Sequence, residues 1–426
     1  MSAFKGAPRN VAGLKIAILT GGSLAWNPRV IKEARALARA QFDVVVFGAN
    51  PDTARLEVDK AIALQHGFVF TSVAPATQIN FISNLQAARR RIRGRLGRDL
   101  YKLFGISSRW QIGLFVPELL RAATKARANY YIAHLEQGVW VGTQLLKAGF
   151  RVGVDMEDWF SEDLLPEARR YRPVRLLQNL ERTLLRHGAH ATCPSRAMSD
   201  VLAEEYGCAP PSIVYNAFHW SERKSLDGLL KDRRDRRVPS IHWFSQTLGP
   251  GRGLEDLLAA LPFLEHEAEI HLRGKMVVGF ESWLSRRVPK NWRDQLFVHD
   301  LVSNDELLSR VAEHDIGFAG EMTYCRSRDL TVTNKILQYL LAGLAVVASD
   351  TAGQREVGEQ APDAVLLYPP GDSAVLATRL NALLGSSENL KRAKANALLA
   401  AEQHFCWEHQ ENVLLEAIAG ALYPTR

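Results

Sequence analysis

Two glycine-rich loops follow apolar strands and carry residue types that bind phosphate. Gly21-Gly22 comes after the apolar run 15–19 and before a helix that opens with Asn27-Pro28-Arg29. The segment SQTLGPGRG, residues 245–253, follows a second apolar run and contains Arg252. Glycines let the backbone approach a ligand, a helix N-terminus favours an anion, and arginine can donate two parallel hydrogen bonds to phosphate. We therefore predict that the second loop binds phosphate, whereas the first loop, taken alone, favours an ordinary strand-to-helix turn.

Acid–base side chains stand at the ends of two further strands. His134 follows the strand 130–133, and the segment GVDMEDW places Asp155, Glu157 and Asp158 at the end of the strand 152–155. A carboxylate at a strand end can act as a general base toward a hydroxyl group. The same carboxylates can instead cap the next helix or pair with an arginine, and a single histidine there is more often structural. We take His134, Glu157 and Asp158 as candidate catalytic residues.

These loops need strands and helices that alternate along the chain. Short apolar runs alternate with helical patterns in both halves, which predicts parallel sheets covered by helices on both faces. The predicted strands are 15–19, 43–47, 130–133, 152–155 and 212–215 in the first half, and 241–244, 269–272, 296–298, 316–319, 346–348 and 365–367 in the second. Because each half opens with strand, glycine-rich loop and helix, we predict two Rossmann-like domains.

The segment TNKILQYLLAGLAVVASDTAGQREV, residues 333–357, reads as helix, glycine, buried strand and loop. It resembles the donor-sugar segment of family 4 glycosyltransferases, group 1 transferases with the GT-B fold, and bacterial members are the most similar. KIAILTGG and NPRVIKEARALA near the N-terminus resemble the opening of the same family. The resemblance implies an α/β protein with two Rossmann-like doubly wound domains that face each other across a cleft.

The resemblance also assigns roles to individual residues. It implies a His134 that contacts the donor sugar, phosphate contacts from Arg252 and Lys335, and a ribose contact from position 338. The residues that it implies for donor binding are Gly21, Gly22, Gln246, Arg252, Arg273, Asn334, Lys335, Gln338 and Glu356. The chain departs from the family at Gln246, where arginine is usual, and at Leu330 and Gln338, where the family has its two glutamates. Glu321, Arg326, Arg328 or Asp329 could replace the first glutamate.

The chain has 426 residues, a net charge of +7 and no apolar run long enough to span a membrane. Seven cations lie between residues 89 and 102, opposed only by Asp99, within the predicted amphipathic helix 81–104. Such a helix fits an anionic membrane surface, and it also fits a solvated face. We expect a cytoplasmic protein without a signal peptide, able to lie at the inner face of the plasma membrane. No recognition motif supports nucleic-acid binding.

The domain prediction places an acceptor domain at 1–220, joined by the C-terminal helix at about 404–426, a charged linker at 221–240 and a donor domain at 241–403. The predicted function is transfer of a sugar from a nucleotide-diphosphate sugar to a glycan or polyprenyl-phosphate-linked acceptor, in cell-surface polysaccharide synthesis. The resemblance implies a retaining enzyme that needs no metal and no cofactor besides its co-substrate. A nucleotide-sugar epimerase and a non-catalytic nucleotide-sugar-binding protein remain as alternatives.

Overall fold

The computed structural model describes residues 13–74, 81–164, 166–233 and 237–423, apart from the side chains of residues 81–84, 86 and 166. The chain divides into two compact units. Unit 1 comprises Met1–Val214 and Glu411–Arg426, and unit 2 comprises Tyr215–Gln410. Among the described residues, no helix combines the length and the apolar character needed to cross a membrane.

Unit 1 contains a seven-stranded sheet in the order β3-β2-β1-β4-β5-β6-β7, and all neighbouring strands are parallel. Its strands are β1 Lys15–Leu19, β2 Asp43–Gly48, β3 Val69–Ser72, β4 Tyr130–Ala133, β5 Val152–Asp155, β6 Ala191–Cys193 and β7 Ser212–Ile213. Its helices are α1 Pro28–Arg39, α2 Thr53–Gln65, α3 Phe81–Phe104, α4 Arg109–Ile112, α5 Val116–Ala126, α6 Leu135–Lys147, α7 Pro166–Arg169, α8 Val174–His187 and α9 Arg196–Tyr206. The central strands are buried, as helices on both faces require.

Unit 2 contains a six-stranded parallel sheet in the order β10-β9-β8-β11-β12-β13. Its strands are β8 Ser240–Leu248, β9 Glu269–Met276, β10 Leu296–His299, β11 Ile316–Ala319, β12 Ala345–Ser349 and β13 Val365–Tyr368. Its helices are α10 Leu254–Ala260, α11 Phe280–Arg287, α12 Asn304–Val311, α13 Arg326–Leu330, α14 Asn334–Ala342, α15 Ala352–Gln360, α16 Ser373–Leu384 and α17 Ser387–Gln403. The last helix, α18 Trp407–Leu422, begins in unit 2, and its residues from Glu411 onward belong to unit 1.

The predicted fold class is confirmed, because each unit has a doubly wound parallel sheet. The two strands that the sequence prediction missed, β3 and β6, have four and three residues. Their apolar patterns are too short to distinguish from a loop. The predicted strand at 212–215 is shorter in the structure, where β7 ends at Ile213.

Candidate active site

Helix α1 of unit 1 buries two charged residues on the face that it turns toward the sheet. Arg29 and Glu33 lie four residues apart and are 3% and 1% exposed, in line with the apolar positions Val30 and Leu37. A charged residue on the core face of a helix needs a buried partner. Glu33 is not among the predicted site residues, and its position on the apolar stripe of α1 is the signal that could have identified it.

His134, at the end of β4, joins Glu33 to Glu157. The Nδ1 of His134 lies 2.7 Å from Oε1 of Glu157, and its Nε2 is hydrogen-bonded to Oε2 of Glu33. His134 is fully buried, which by itself would lower its pKa. The two carboxylates outweigh that burial and hold the pKa of His134 well above its usual range. His134 is therefore an imidazolium that donates a hydrogen bond from each nitrogen to a carboxylate.

The neighbouring carboxylate, Asp155, is held by an arginine. Arg29 Nε lies 3.0 and 2.9 Å from the two carboxylate oxygens of Asp155, and Arg29 Nη1 donates to the carbonyl of Val214 at 2.7 Å. Glu33, His134 and Asp155 each offer a ligand atom within 4.8 Å of the others, which is a spacing that could hold a metal ion. Both ring nitrogens of His134 already contact carboxylates, so a metal ion would have to replace one of these contacts. Arg29 and His134 provide the positive charge at these carboxylates.

Among the predicted catalytic residues, Glu157 reaches the surface and His134 does not. The Glu157 side chain is 14% exposed, and Asn27 Nδ2 donates to its two oxygens at 2.9 and 3.1 Å. With His134 on the other side, Glu157 is held in one orientation. Asp158 is partly buried next to it. His134 thus lies buried behind Glu157, and its contact with a sugar stays a prediction.

Gly21, the first of the glycine pair, borders a small pocket at the carboxyl end of β1 to β3. A Cβ on residue 21 would lie 2.1 Å from Oε1 of Gln137, so Gly21 makes room for that side chain. Gln137 donates to the carbonyl of Ile112 at 2.9 Å. The pocket is lined by Thr20, Ala49, Leu114, Phe115, Leu119 and Gln137, among others. A Cβ on Gly22 would meet nothing within 4 Å, so that backbone is open to a ligand.

In unit 2, three predicted donor residues share one face of the first turns of α14. Gln338 lies three residues after Lys335 and four after Asn334, so the three side chains are neighbours. Asn334 is exposed, and its Oδ1 accepts a hydrogen bond from Asn216 at 2.9 Å. Gln338 is only 3% exposed. This face of α14 therefore carries the ammonium group of Lys335 and the side-chain amides of Asn334 and Gln338.

Lys335 is held at the carboxyl end of β11. Its Nζ pairs with Oε1 of Glu321, the second residue after that strand, and lies 5.5 Å from the centroid of the Trp243 ring. The Glu321 amide donates to Oγ of Ser349 at 2.8 Å. A phosphate that binds Lys335 must compete with the Glu321 carboxylate. Glu321, one of the residues predicted as a replacement for the missing glutamate, thus lies at the predicted donor site.

Gln354 connects the loops that surround Lys335 through hydrogen bonds. It is not among the predicted site residues. Gln354 is fully buried and donates to the carbonyls of Ala319 and Ser349 at 3.0 and 2.9 Å. Its Oε1 accepts a hydrogen bond from Thr333, which precedes α14, at 3.3 Å. One amide thus fixes the ends of β11 and β12 and the start of α14. A glutamine two residues into a helix after a strand carries no sequence signal for this role.

The loop between β8 and α10 leaves Arg252 exposed, as a ligand-binding cation should be. Arg252 Nη1 lies 3.3 Å from Ser245 Oγ. Gln246 is also exposed, next to an irregularity in the pairing of β8 with β9. Gly253 has φ +81°, and a Cβ there would lie 2.5 Å from the carbonyl oxygen of Gly320. The loop thus requires glycine to approach the end of β11, close to Glu321.

Arg273 has a different setting from the predicted one. It is 3% exposed, pairs with Asp232 and donates to the carbonyl of Asp300. Asp232 lies in the predicted linker, as does Arg233, which pairs with Glu269 at 3.1 Å. These contacts hold Arg273 inside unit 2, and its contact with the donor stays a prediction. The other two predicted positions in this unit, Glu356 on α15 and Leu330 on α13, are buried as well, at 5% and 7% exposure.

Four histidines cluster beside Asp232 in unit 2, of which His242, His271 and His314 are buried and His299 is partly buried. His242 and His314 stack with ring centroids 4.3 Å apart, and His271 Nδ1 lies 2.9 Å from His299 Nε2. Burial lowers the pKa of all four, to about 2 for His271 and about 4 for His314. Both ring nitrogens of His242 lack a hydrogen-bond partner among the described residues. The cluster is therefore uncharged at neutral pH.

Residues 239–386 match the family model for glycosyl transferases group 1. Most of the second unit is therefore similar to a group 1 glycosyltransferase domain. This match covers all the predicted donor residues of unit 2, and it confirms the expectation of a glycosyltransferase. No curated protein matches the chain.

Solved structures share the fold of this chain over nearly its whole length. HepE from Anabaena, solved in complex with UDP-glucose, has a TM-score of 0.68 at 17% identity, covering 96% of this chain and 100% of its own. Sucrose-phosphate synthase from Thermosynechococcus elongatus has a TM-score of 0.66 at 15% identity, covering 95% and 97%. A putative UDP-N-acetylglucosamine 2-epimerase from Listeria monocytogenes has a TM-score of 0.55 at 10% identity, covering 97% and 98%. These likenesses confirm the GT-B fold.

Proposed function

We propose that this glycosyltransferase takes a nucleotide-diphosphate sugar and transfers the sugar to a hydroxyl group of a glycan or polyprenyl-phosphate-linked acceptor, in cell-surface polysaccharide synthesis. The observation that carries the proposal is the family match over 239–386, which contains the loop with Arg252 and the helix with Lys335. Because HepE was solved with UDP-glucose, UDP-glucose is the first donor to test.

Unit 2 would hold the donor through its diphosphate. Arg252 is exposed and can donate two hydrogen bonds to phosphate oxygens, and Lys335 adds a second cation. In the reaction, the bond from the anomeric carbon to the diphosphate oxygen breaks, and the two cations stabilise the negative charge that develops on the leaving group. The amide oxygen of Gln338 would accept a hydrogen bond from a ribose hydroxyl, as the carboxylate of the family's glutamate does.

Unit 1 would hold the acceptor. Its pocket at the carboxyl end of β1 to β3 is lined by apolar groups such as Leu114, Phe115 and Leu119, together with the hydroxyl of Thr20. The acceptor oxygen forms the new bond to the anomeric carbon, and its proton passes to the departing diphosphate, which gives retention without a protein base. Glu157, oriented by Asn27 and His134, would hold a hydroxyl group of the substrate.

The decisive measurement is binding and turnover with a panel of UDP-, GDP- and ADP-sugars. We expect one nucleotide class to raise the melting temperature and to be hydrolysed slowly in the absence of an acceptor. Arg252→Ala should raise the dissociation constant for the nucleoside diphosphate at least about tenfold, because it removes one charge-assisted contact of roughly 1.5–3 kcal/mol. Arg252 is exposed, so the variant should fold normally.

Lys391→Ala is the matched control, since Lys391 is an exposed cation of unit 2 on α17. Equal affinities for the parent and Arg252→Ala in calorimetry would refute the phosphate contact. Conversion of the sugar nucleotide to an epimer would instead show an epimerase. Short glycans and polyprenyl phosphates are supplied as acceptors. If the protein binds a sugar nucleotide but transfers the sugar to none of them, it is a non-catalytic binding protein. Leu330 and Gln338 favour this alternative, because they replace the two glutamates of the family.

A further inference from the structure

Helix α3 packs against the rest of unit 1 through its glycines. A Cβ on Gly94 would lie 2.8 Å from Cδ2 of Leu114, and one on Gly97 would lie 2.9 Å from Oγ of Ser108. Arg90 is on the same side of the helix, where it pairs with Glu118 at 3.0 Å. The face of α3 that contacts unit 1 therefore contains the two glycines and one paired arginine.

The apolar stripe of α3 points away from that face. Leu85, Ile92, Leu96 and Leu103 are spaced by seven, four and seven residues, so they fall on one line along the helix. They are exposed by 46%, 57%, 54% and 73%. Gly94 is two residues from both Ile92 and Leu96, which places it on the opposite side of the helix. A stripe that normally faces a core thus faces outward in this unit.

Cations border this outward stripe. The exposed ones are Arg89, Arg91, Arg93, Arg95, Arg98 and Lys102, and Asp99 is the single acidic residue in the sequence of the helix. Arg93 and Arg109 also lie 5.3 and 5.1 Å from the ring centroid of Trp110, which places an aromatic side chain beside the helix. A long apolar line with cations on both sides is complementary to acyl chains below anionic headgroups.

We propose that α3 docks the protein on an anionic membrane surface, with Leu85, Ile92, Leu96 and Leu103 inserted between headgroups and the exposed arginines at the phosphates. The exposed apolar line distinguishes this surface from a nucleic-acid site, which needs the cations but not the leucines. The inference does not depend on the transferase activity. It adds a place of action for the enzyme, because Leu114 contacts Gly94 on α3 and also lines the pocket of unit 1.

Vesicle sedimentation tests the charges. Binding should require phosphatidylglycerol in phosphatidylcholine vesicles and fall steeply as salt rises. Replacing Arg89, Arg91, Arg95 and Arg98 by glutamine should lower the partition coefficient at least about 50-fold, since each cation near the surface contributes a factor of about five. Arg90 is left unchanged because it is paired with Glu118. The control variant replaces four exposed cations of unit 2 by glutamine, Arg286, Lys290, Lys391 and Arg392, and it should bind like the parent.

A second variant tests the stripe. Changing Ile92, Leu96 and Leu103 to serine removes only exposed apolar groups, so the protein should fold and should partition at least about tenfold more weakly. Equal binding to vesicles of pure phosphatidylcholine, or an equal loss in the control variant, would overturn the electrostatic docking. Full binding by the serine variant, with single-stranded RNA competing for the protein, would overturn membrane docking in favour of a nucleic-acid surface.

Discussion

Acidification should destabilise unit 2 through its cluster of four histidines. His242, His271, His299 and His314 have lowered pKa values in the folded state, so the unfolded chain takes up protons that the folded unit excludes. Stability is then complete above pH 6.5, the usual pKa of histidine, and falls as the pH drops below it. His242→Phe is the sharpest perturbation, because its ring stacks between His314 and Phe244 and its nitrogens are unpaired among the described residues.

The size of the effect follows from the unfolded state. At pH 5, about 1.5 units below the usual pKa, each histidine that stays neutral costs about 2 kcal/mol. His271 and His314, with pKa values of about 2 and about 4, together should cost about 4 kcal/mol between pH 7.5 and pH 5. His242, whose pKa is also lowered, adds a loss of its own to this sum, and His242→Phe should remove that additional loss. It should also stabilise the unit by about 1 kcal/mol at pH 7.5, since two unpaired buried nitrogens disappear.

Urea unfolding at pH 7.5 and pH 5, with hydrogen exchange read separately on peptides of unit 2, measures these differences. His266→Phe is the control, because His266 is exposed in the same unit and its replacement should leave the pH dependence unchanged. An equal free energy of unfolding of unit 2 in the parent at both pH values would refute this prediction. An equal decrease in the free energy of unfolding of His242→Phe and the parent on acidification would refute it as well.

Three further predictions concern the two candidate sites. Glu33→Gln should lower the stability of unit 1 by about 3 kcal/mol at pH 6, measured by urea unfolding. The stabilisation linked to the raised pKa of His134 is complete below pH 6.5 and is lost as the pH rises through that pKa, so the variant and the parent should converge in alkali. Gln354→Leu should lower the free energy of unfolding of unit 2 by about 2–3 kcal/mol, because two buried carbonyls lose their hydrogen-bond donor. An unchanged midpoint of urea unfolding would show that Gln354 does not hold these loops together. Gln338→Glu should keep or improve nucleotide affinity in calorimetry and Gln338→Leu should weaken it, whereas parental affinity in both would place residue 338 away from the nucleotide.

The sequence predicted the strand–helix alternation and the residues that lie at strand ends. It placed His134 and Glu157 at neighbouring strand ends, and these side chains are in contact. It also placed Lys335 at the start of a helix near the carboxyl edge of the second sheet. These features follow from local periodicity and from the rule that parallel strands end on one edge.

Contacts between distant segments were beyond the sequence prediction. Arg273 follows the pattern of a loop cation, but its partner Asp232 lies 41 residues earlier in a charged segment that resembles a linker. Glu33 meets His134 across 101 residues. The sequence also predicted the helix 81–104 and its apolar stripe, whereas the outward direction of the stripe depends on which side of the helix the glycines pack.

The glycine contacts of α3 have a consequence for mutational tolerance. Gly94 and Gly97 attach the helix through its backbone, so a larger residue at either position would push the helix off Leu114 or Ser108. The outer face makes no such demand, because its side chains are exposed. Substitutions on that face can therefore change the affinity for a membrane while the fold stays intact. Homologous chains should keep small residues at positions 94 and 97 even where they lack the cations and the apolar stripe.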